Sequence, residues 1–516
     1  MNLRYVLKQL GLLLVVLSLL LLAVAAWSGL QLLQDEPAEA GAFRALLIAA
    51  VSGLAFGGIL WGLTRSTRPQ LGRREALLLV ALSWLVGAAL AALPSLLWAH
   101  LPDGPAATHP FNSPVNCYFE AMSGLTTTGA TILSDIDALP RSLLLWRALT
   151  QWIGGLGIVV LFVAVLPTLG VGGKRLFQVE APGPATEGLQ PHIRQTARVL
   201  LYIYLVLSAT QILAVWLIGR TSLFDAVCHT FTTLATAGFS TRTASIGAYQ
   251  SRAVEIIIIC FMVLGGVNFG LYFALIRGKL HTVWRDPELR TYLGLLVVGS
   301  AIIVLCLAGQ SITTTTGRPI DASAGAAIRY GVFTTVSIAT TTGYCTADFN
   351  TWPFLAKAVL ILLMFIGGSA GSTAGGIKVI RIWIAFKVIL SEIERVFRPN
   401  VVRPVRVGST TIDDELKLAT LAYVVGIVIL FVLGSGAVML LEQWTGDRTC
   451  DYTTAASASI ASLFTIGPGL AMVGAIENYG WMSSPTKLVL CLLMALGRLE
   501  VFAIIVLFTP RFWRGD

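Results

Sequence analysis

The sequence predicts an all-α polytopic membrane protein: four tandem helix–pore-loop–helix repeats around a pseudo-four-fold central pore, preceded by an N-terminal helix pair. Three observations predict it. The 516 residues are 56% hydrophobic and only 12% charged, about half the charge fraction of ordinary globular domains. Apolar runs of about 20 residues, each long enough as a helix to cross about 30 Å of hydrocarbon, recur from one end of the chain to the other. Four short polar interruptions between those runs share one pattern.

The apolar runs fall near 9–32, 44–64, 75–99, 143–167, 198–218, 253–276, 291–308, 354–390 (interrupted), 417–441 and 486–508. Ten crossings put both termini on one side. If that side is the cytoplasm, 24 of the 36 Lys and Arg face inward and 11 outward, and Arg498 sits within a span. This is the positive-inside asymmetry, so the net charge of +9 reports topology rather than nucleic-acid binding. Seven cysteines are too few for a secreted disulfide scaffold, and the strand alternation of an outer-membrane barrel is missing. The first run is longer than the apolar region of a signal peptide and reads as an uncleaved helix.

The four interruptions begin with turn residues, continue as a stretch too short to span, and end in a Thr/Ser/Gly cluster. Aligned on one glycine each they read SGLTTTG (123–129), TTLATAG (232–238), SIATTTG (337–343) and ASLFTIG (461–467). Threonine stands two positions before the glycine in all four: Thr127, Thr236, Thr341 and Thr465. A second mark follows 24 to 30 residues later inside the next apolar run, at Gly154-Gly155, Gly265-Gly266, Gly367-Gly368 and Gly497-Arg498. The glycine spacings of 109, 105 and 124 residues divide the chain into an N-terminal pair (1–70) and repeats at 71–180, 181–285, 286–405 and 406–516.

Backbone that enters the membrane as a short helix and returns extended survives only where it lines a cavity, since lipid cannot satisfy its carbonyls. Four copies around one axis converge Thr and carbonyl oxygens on a central path, which is how channels replace the hydration shell of a monovalent cation. The segments contain no carboxylate, which suits K⁺ better than Ca²⁺ or Mg²⁺. Each short helix also points its negative dipole end at the centre. Ser113 before Pro114, Asp321 and Asp447 are the expected helix caps. Glycine at the aligned position permits the positive φ that turns carbonyls inward. The predicted ion-binding residues are Thr127, Thr128, Gly129, Thr236, Ala237, Gly238, Thr341, Thr342, Gly343, Thr465, Ile466 and Gly467.

These residues carry a family likeness. Thr127-Thr128-Gly129 and Thr341-Thr342-Gly343-Tyr344 resemble the Thr-Val-Gly-Tyr filter of potassium channels with one glycine per repeat, and the whole chain resembles the Trk/Ktr/HKT superfamily of potassium transporters. The extra N-terminal helix pair places it nearer the bacterial Trk uptake pore subunits than the Ktr type. By that resemblance Gly129, Gly238, Gly343 and Gly467 are the filter glycines. The resemblance further implies a bacterial inner-membrane location, a homodimer, and a cytosolic TrkA-like nucleotide-binding regulatory subunit docked on inward basic loops such as Arg395–Arg406. K⁺ is the implied permeant ion, with Rb⁺ and Na⁺ as alternatives and symport with another ion as one mode; no bound cofactor or enzymatic activity is expected. The bulky Phe464-Thr465-Ile466 and the apolar Ala237 depart from the other segments.

The third repeat is broken by five glycines in ten residues: Gly367, Gly368, Gly371, Gly375 and Gly376. A helix there is destabilised by several times the roughly 1 kcal/mol per glycine. Tight helix packing is one reading, since Gly367, Gly371 and Gly375 make consecutive GxxxG pairs; a mobile loop obstructing the pore below the ion sites is the other, which the resemblance also implies. Arg498 stands where the other repeats have Gly155, Gly266 and Gly368. Such a charge within a span costs about 2.5–3.5 kcal/mol on insertion scales and requires a partner or water. Two roles fit it, an electrostatic barrier in the pore and a structural arginine bonded to helix ends or the glycine loop. Glu500, two residues on, leaves the helix on the opposite face. Glu120 reads as a bond to neighbouring backbone or a vestibule group; Asp225, His229 and Glu255 read as helix caps or bonds rather than metal ligands. The competing functions are a sodium-coupled Ktr-like potassium transporter and a secondary transporter of an organic solute, the latter expected to show inverted repeats and mid-membrane charges.

Overall fold

The hydrocarbon core leaves backbone amides only one another as partners, so the apolar runs fold as helices. The structure is a computed structural model. It describes residues 1–34, 36, 38–67, 72–164, 189–321, 323–399, 404–408, 410–499 and 501–514. Among the described residues six helices are long and apolar enough to cross a membrane, and a bent pair makes a seventh. The protein is an all-α, multi-pass membrane protein.

The N-terminal pair, Leu3–Leu32 and Glu39–Thr64, pack closely along their length. A Cβ on Gly11 would come 2.8 Å from the Gly57 carbonyl, and one on Gly57 would come 2.8 Å from that of Gly11. This is the close approach that small residues permit between membrane helices. Buried Glu39 accepts bonds from Ser28 Oγ (2.7 Å) and the Ser142 amide (3.1 Å), joining the pair to the first repeat.

Each repeat then runs outer helix, short pore helix, inner helix. The outer helices are Arg73–His100, Leu189–Leu213 with its continuation Ala214–Ile218, Pro287–Leu307 and Asp414–Thr445. The pore helices are Pro114–Leu125, Leu223–Leu234, Ala324–Ala339 and Tyr452–Leu463. The inner helices begin at Arg141, Arg252, Phe354 and Ser484.

Among the described residues only the first inner helix, Arg141–Ala164, shows no break, and the expected spans need correction at the other three. The run 253–276 is two helices, Arg252–Gly265 and Phe269–Ile276, bent by 93°. Asn268 starts the second half by accepting from the Gly270 amide. The run 354–390 divides into Phe354–Phe365 and Val379–Phe397 around the glycine segment. The run 486–508 is helical only to Arg498, with a single turn at Phe502–Ile505 beyond. The breaks fall beside the aligned glycine pairs of repeats 2, 3 and 4 and release backbone carbonyls from helical bonding there.

Two of the expected caps also shift. Asp321 lies in a short strand paired with 311–313, and Ser323 caps the third pore helix instead. Asp451 rather than Asp447 caps the fourth. In both, the turn before the helix is longer than the sequence pattern suggested. Ser113 does stand at the first N-cap, ahead of Pro114, but its side chain makes no capping bond.

Candidate ion pathway

The pore helices end alike. Thr127, Thr236, Thr341 and Thr465 adopt left-handed backbone, with φ of 56°, 50°, 57° and 53°. Each donates its amide to the carbonyl three residues back: Thr127 to Gly124 (3.0 Å), Thr236 to Thr233 (2.9 Å), Thr341 to Ile338 (3.0 Å), Thr465 to Ser462 (3.4 Å). The next residue donates five back: Thr128 to Ser123, Ala237 to Thr232, Thr342 to Ser337 and Ile466 to Ala461, all between 2.9 and 3.0 Å. These paired bonds are the Schellman motif, usually closed by glycine. A β-branched residue there is a backbone outlier that costs of order 1–3 kcal/mol. Sequence reasoning singled out the threonines for their oxygens and missed this conformation; its signal is the same residue type at the same distance from four helix ends.

Two residues on, Gly129, Gly238, Gly343 and Gly467 have φ of 80°, 81°, 81° and 95°. They interlock in order. A Cβ on Gly129 would meet the Ala237 carbonyl oxygen at 2.1 Å, one on Gly238 the Thr342 oxygen at 2.0 Å, and one on Gly343 the Ile466 oxygen at 1.8 Å. One on Gly467 would meet the Thr128 oxygen at 2.9 Å. The repeats thus contact 1 to 2, 2 to 3, 3 to 4 and 4 to 1, and the four segments form a closed ring. An open cavity is lined by all four glycines and by residues that follow them, such as Thr131, Ser240 and Cys345.

The strands are held from behind. Gln151 donates to the Ala237 carbonyl (3.0 Å) and accepts from the Phe239 amide (3.1 Å). The Tyr344 hydroxyl bonds Thr232 and donates to the His229 carbonyl (3.1 Å), tying repeat 3 to repeat 2. Tyr479 donates to the Gly467 carbonyl at 2.9 Å. Glu120 is structural: its carboxylate accepts from Arg147 Nη2 (2.6 Å), Thr131 Oγ1 and the Ile132 amide. Arg147 and Lys487, both counted among outward charges, are instead buried; Lys487 donates to Asn116 and the Gly480 carbonyl. Sequence reasoning missed Gln151 and Arg147 because neither belongs to the repeated pattern.

The remaining candidates resolve as helix bonds. Asp225 accepts from Thr241 (2.6 Å) and Ser222, and His229 contacts Ser240 Oγ at 3.0 Å. Glu255 pairs with Arg329 at 2.6 Å. Among the described residues no group of His, Cys, Asp and Glu forms a metal centre.

The glycine segment lies against the other side of the ring. Gly371 and Gly376 have positive φ, at 67° and 72°, and a Cβ on Gly367 would sit 1.8 Å from the Gly375 carbonyl. A Cβ on Gly368 would come 2.8 Å from the Gly266 carbonyl, and one on Gly375 2.1 Å from Thr465 Oγ1. The segment bonds at two of the four ring threonines: Gly375 donates its amide to Thr341 Oγ1 (2.8 Å), and Thr373 Oγ1 donates to the Leu234 carbonyl (2.8 Å) and reaches Thr236 Oγ1 at 3.4 Å. Carbonyls freed by the bend in repeat 2 are satisfied here, with Ser369 donating to Gly266 (2.9 Å) and Thr373 to Gly265 (3.3 Å). Glu288 anchors it from outside through the amides of Ala370 (2.7 Å) and Ile380 (3.2 Å).

Arg498 completes this layer. It is 3% exposed, and donates Nη1 to the Thr373 carbonyl (2.8 Å) and Nη2 to the Gly154 carbonyl (3.0 Å). These are the bonds of the structural reading, one to the glycine segment and one to the first inner helix. Nε has no partner among the described residues. The hydroxyls of Thr127 and Thr465 likewise have no protein partner among the described residues. Glu500 lies outside the described residues, as do Arg68, Lys174, Arg175 and Arg403 of the basic loops.

The sequence model of TrkH, described as a cation transport protein, matches residues 43–514. The chain belongs to the TrkH family. The Trk system potassium uptake protein TrkH of Halomonas elongata is 40% identical over 518 residues, covering all of both chains. That of Escherichia coli is 38% identical over 476 residues, covering 92% of this chain and 93% of the relative. The crystal structure of the potassium transporter TrkH from Vibrio parahaemolyticus superposes with a TM-score of 0.85 at 34% identity, covering both chains completely. TrkH-family members are transport proteins rather than enzymes, and a cation transport family sets aside the organic-solute alternative.

Proposed function

We propose that this TrkH-family chain is a potassium uptake protein whose selectivity filter is the ring of Gly129, Gly238, Gly343 and Gly467 with the threonine-bearing residues before them. The observation that carries this reading is the closure of the ring, each glycine pressed on a carbonyl of the next repeat's strand. The four helix ends supply negative dipole ends around it, and carbonyl and threonine oxygens without a carboxylate replace the hydration shell of a dehydrated monovalent cation. The relatives are Trk system potassium uptake proteins, which supports the same ion.

The glycine segment 367–376 is the gate in this reading and Arg498 its latch and charge barrier, so that ions stop below the filter until the segment moves. Control comes from a cytosolic nucleotide-binding subunit of the TrkA kind on the basic loops, and the pore works as a homodimer in the bacterial inner membrane with both termini cytoplasmic. The chain divides as 1–70, 71–180, 181–285, 286–405 and 406–516.

Growth rescue of a bacterium lacking K⁺ uptake, at low external K⁺ and with the partner supplied, tests the function. The wild-type protein restores growth and Gly343→Ser does not. Failure of a wild-type protein present in the membrane overturns the reading.

A further inference from the structure

Behind the ring, the four repeats are built unequally. Nine positions before the ring glycines stand Glu120, His229, Thr334 and Ala458; two after them stand Thr131, Ser240, Cys345 and Gly469. In repeat 1 the carboxylate accepts from the Thr131 hydroxyl at 2.9 Å, and in repeat 2 the imidazole bonds Ser240 Oγ at 3.0 Å. Thr334 Oγ1 has no partner among the described residues, and Ala458 offers no polar atom. The inner helices are as unequal. Counting seven back from Gly154, Gly265, Gly367 and Gly497 reaches Arg147, Ile258, Leu360 and Leu490, all buried.

On the inner helices three repeats therefore fill this position with an apolar side chain, and among the described residues only repeat 1 pairs a charge there with a carboxylate on its own pore helix. Packing does not require such a pair, since apolar residues of similar volume commonly replace buried ion pairs without loss of stability. What the pair adds is reach. Arg147 Nε and Nη2 hold Glu120 Oε1 at 3.0 and 2.6 Å, Nη1 extends to the Ser240 carbonyl at 3.5 Å, and the guanidinium lies 4.2 Å from the centre of the Phe239 ring. Glu120 meanwhile takes the Ile132 amide at 2.9 Å. One buried pair thus grips the strand leaving Gly129 and the strand leaving Gly238.

We propose that Glu120 and Arg147 are positioning residues for cation selection, holding the strands beyond the ring glycines of repeats 1 and 2 at the spacing that favours K⁺ over Na⁺. The proposal rests on the potassium-uptake reading above. Neither residue touches the ion; both act through Ile132, Thr131, Phe239 and Ser240.

Uptake of ⁸⁶Rb⁺ and ²²Na⁺ into proteoliposomes tests it, read as the ratio of the two rates. Glu120→Gln and Arg147→Met lower the Rb⁺/Na⁺ ratio roughly tenfold, equivalent to about 1.4 kcal/mol of lost discrimination, and Arg147→Lys recovers part of it. Thr131→Val, which removes the hydroxyl that donates to Glu120 and accepts from the Leu133 amide and Arg147 Nη2 but keeps the ion pair itself, shifts the ratio the same way by less and serves where the charge variants fail to fold. Arg329→Met breaks a comparable pore-helix to inner-helix pair that does not touch these strands; it lowers the melting temperature and leaves the ratio unchanged. A wild-type ratio in Thr131→Val and in every folded charge variant, or an equal fall in Arg329→Met, overturns the proposal. A wild-type protein that selects no monovalent cation at all overturns the uptake reading itself.

Discussion

Replacing the ring glycines by alanine one at a time separates backbone strain from collision. All four have φ between 80° and 95°, so the left-handed conformation costs each alanine a similar amount, roughly 1–2 kcal/mol. The added methyl does not meet similar surroundings. At Gly343 it comes 1.8 Å from the Ile466 oxygen and 2.8 Å from Pro468, about 1.6 Å short of the 3.4 Å where ordinary contact begins. Gly238 and Gly129 are nearly as tight at 2.0 and 2.1 Å. Gly467 faces the Thr128 oxygen at 2.9 Å, a shortfall of about half an ångström. Shifts of a few tenths of an ångström are within the reach of packed backbone; a shift above 1 Å displaces the neighbouring carbonyl and with it the oxygen it offers to the ion. Gly467→Ala is therefore expected to retain measurable ⁸⁶Rb⁺ uptake and growth at intermediate K⁺, while Gly343→Ala, Gly238→Ala and Gly129→Ala abolish both. Uptake rates normalised to membrane-inserted protein are the assay. Equal loss at all four positions would refute the collision argument and leave strain as the dominant cost.

The gate makes further predictions. Arg498→Ala removes the bonds to Thr373 and Gly154 and is expected to raise ⁸⁶Rb⁺ flux in the absence of any activator; unchanged or lower flux in well-folded protein counts against a latch and barrier. Glu288→Gln weakens two hydrogen bonds to a charged acceptor, each worth about 1.5–3 kcal/mol, and should likewise raise basal flux, with faster amide exchange at Ala370 and Ile380 as the local readout. Asp137, outside the spans, is partly buried, which alone would raise its pKa, yet bonds from Thr243 and Arg242 hold it below the ordinary 3.8. A depressed folded pKa gives a contribution that is complete above 3.8 and lost as pH falls below it. Asp137→Asn should therefore lower the melting temperature at pH 7 and have a smaller effect near pH 3.

Legibility followed the repeat. The four segments, their aligned threonines and glycines, and the glycine interruption were readable because four copies of one pattern reinforce one another. Residues used once were not: Gln151 and Arg147 are single polar groups within apolar runs, and nothing local distinguishes a strand clamp from a surface charge. The helix limits failed where a neighbour decides them. Phe269–Ile276 turns away because carbonyls at Gly265 and Gly266 find donors in Thr373 and Ser369, more than 100 residues later. The shifted caps at Ser323 and Asp451 depend on turns whose length the pattern leaves open.

By itself the sequence determined that this chain is helical, membrane-embedded and four-fold repeated, since apolar length, charge asymmetry and internal periodicity act locally and add along the chain. Only the tertiary structure decided the ring and its fastening. Which carbonyl faces Gly343, and which loop Arg498 holds, depend on residues from different repeats meeting in space, as Arg498 Nη1 meets the Thr373 carbonyl at 2.8 Å, and no spacing along the chain encodes such a contact.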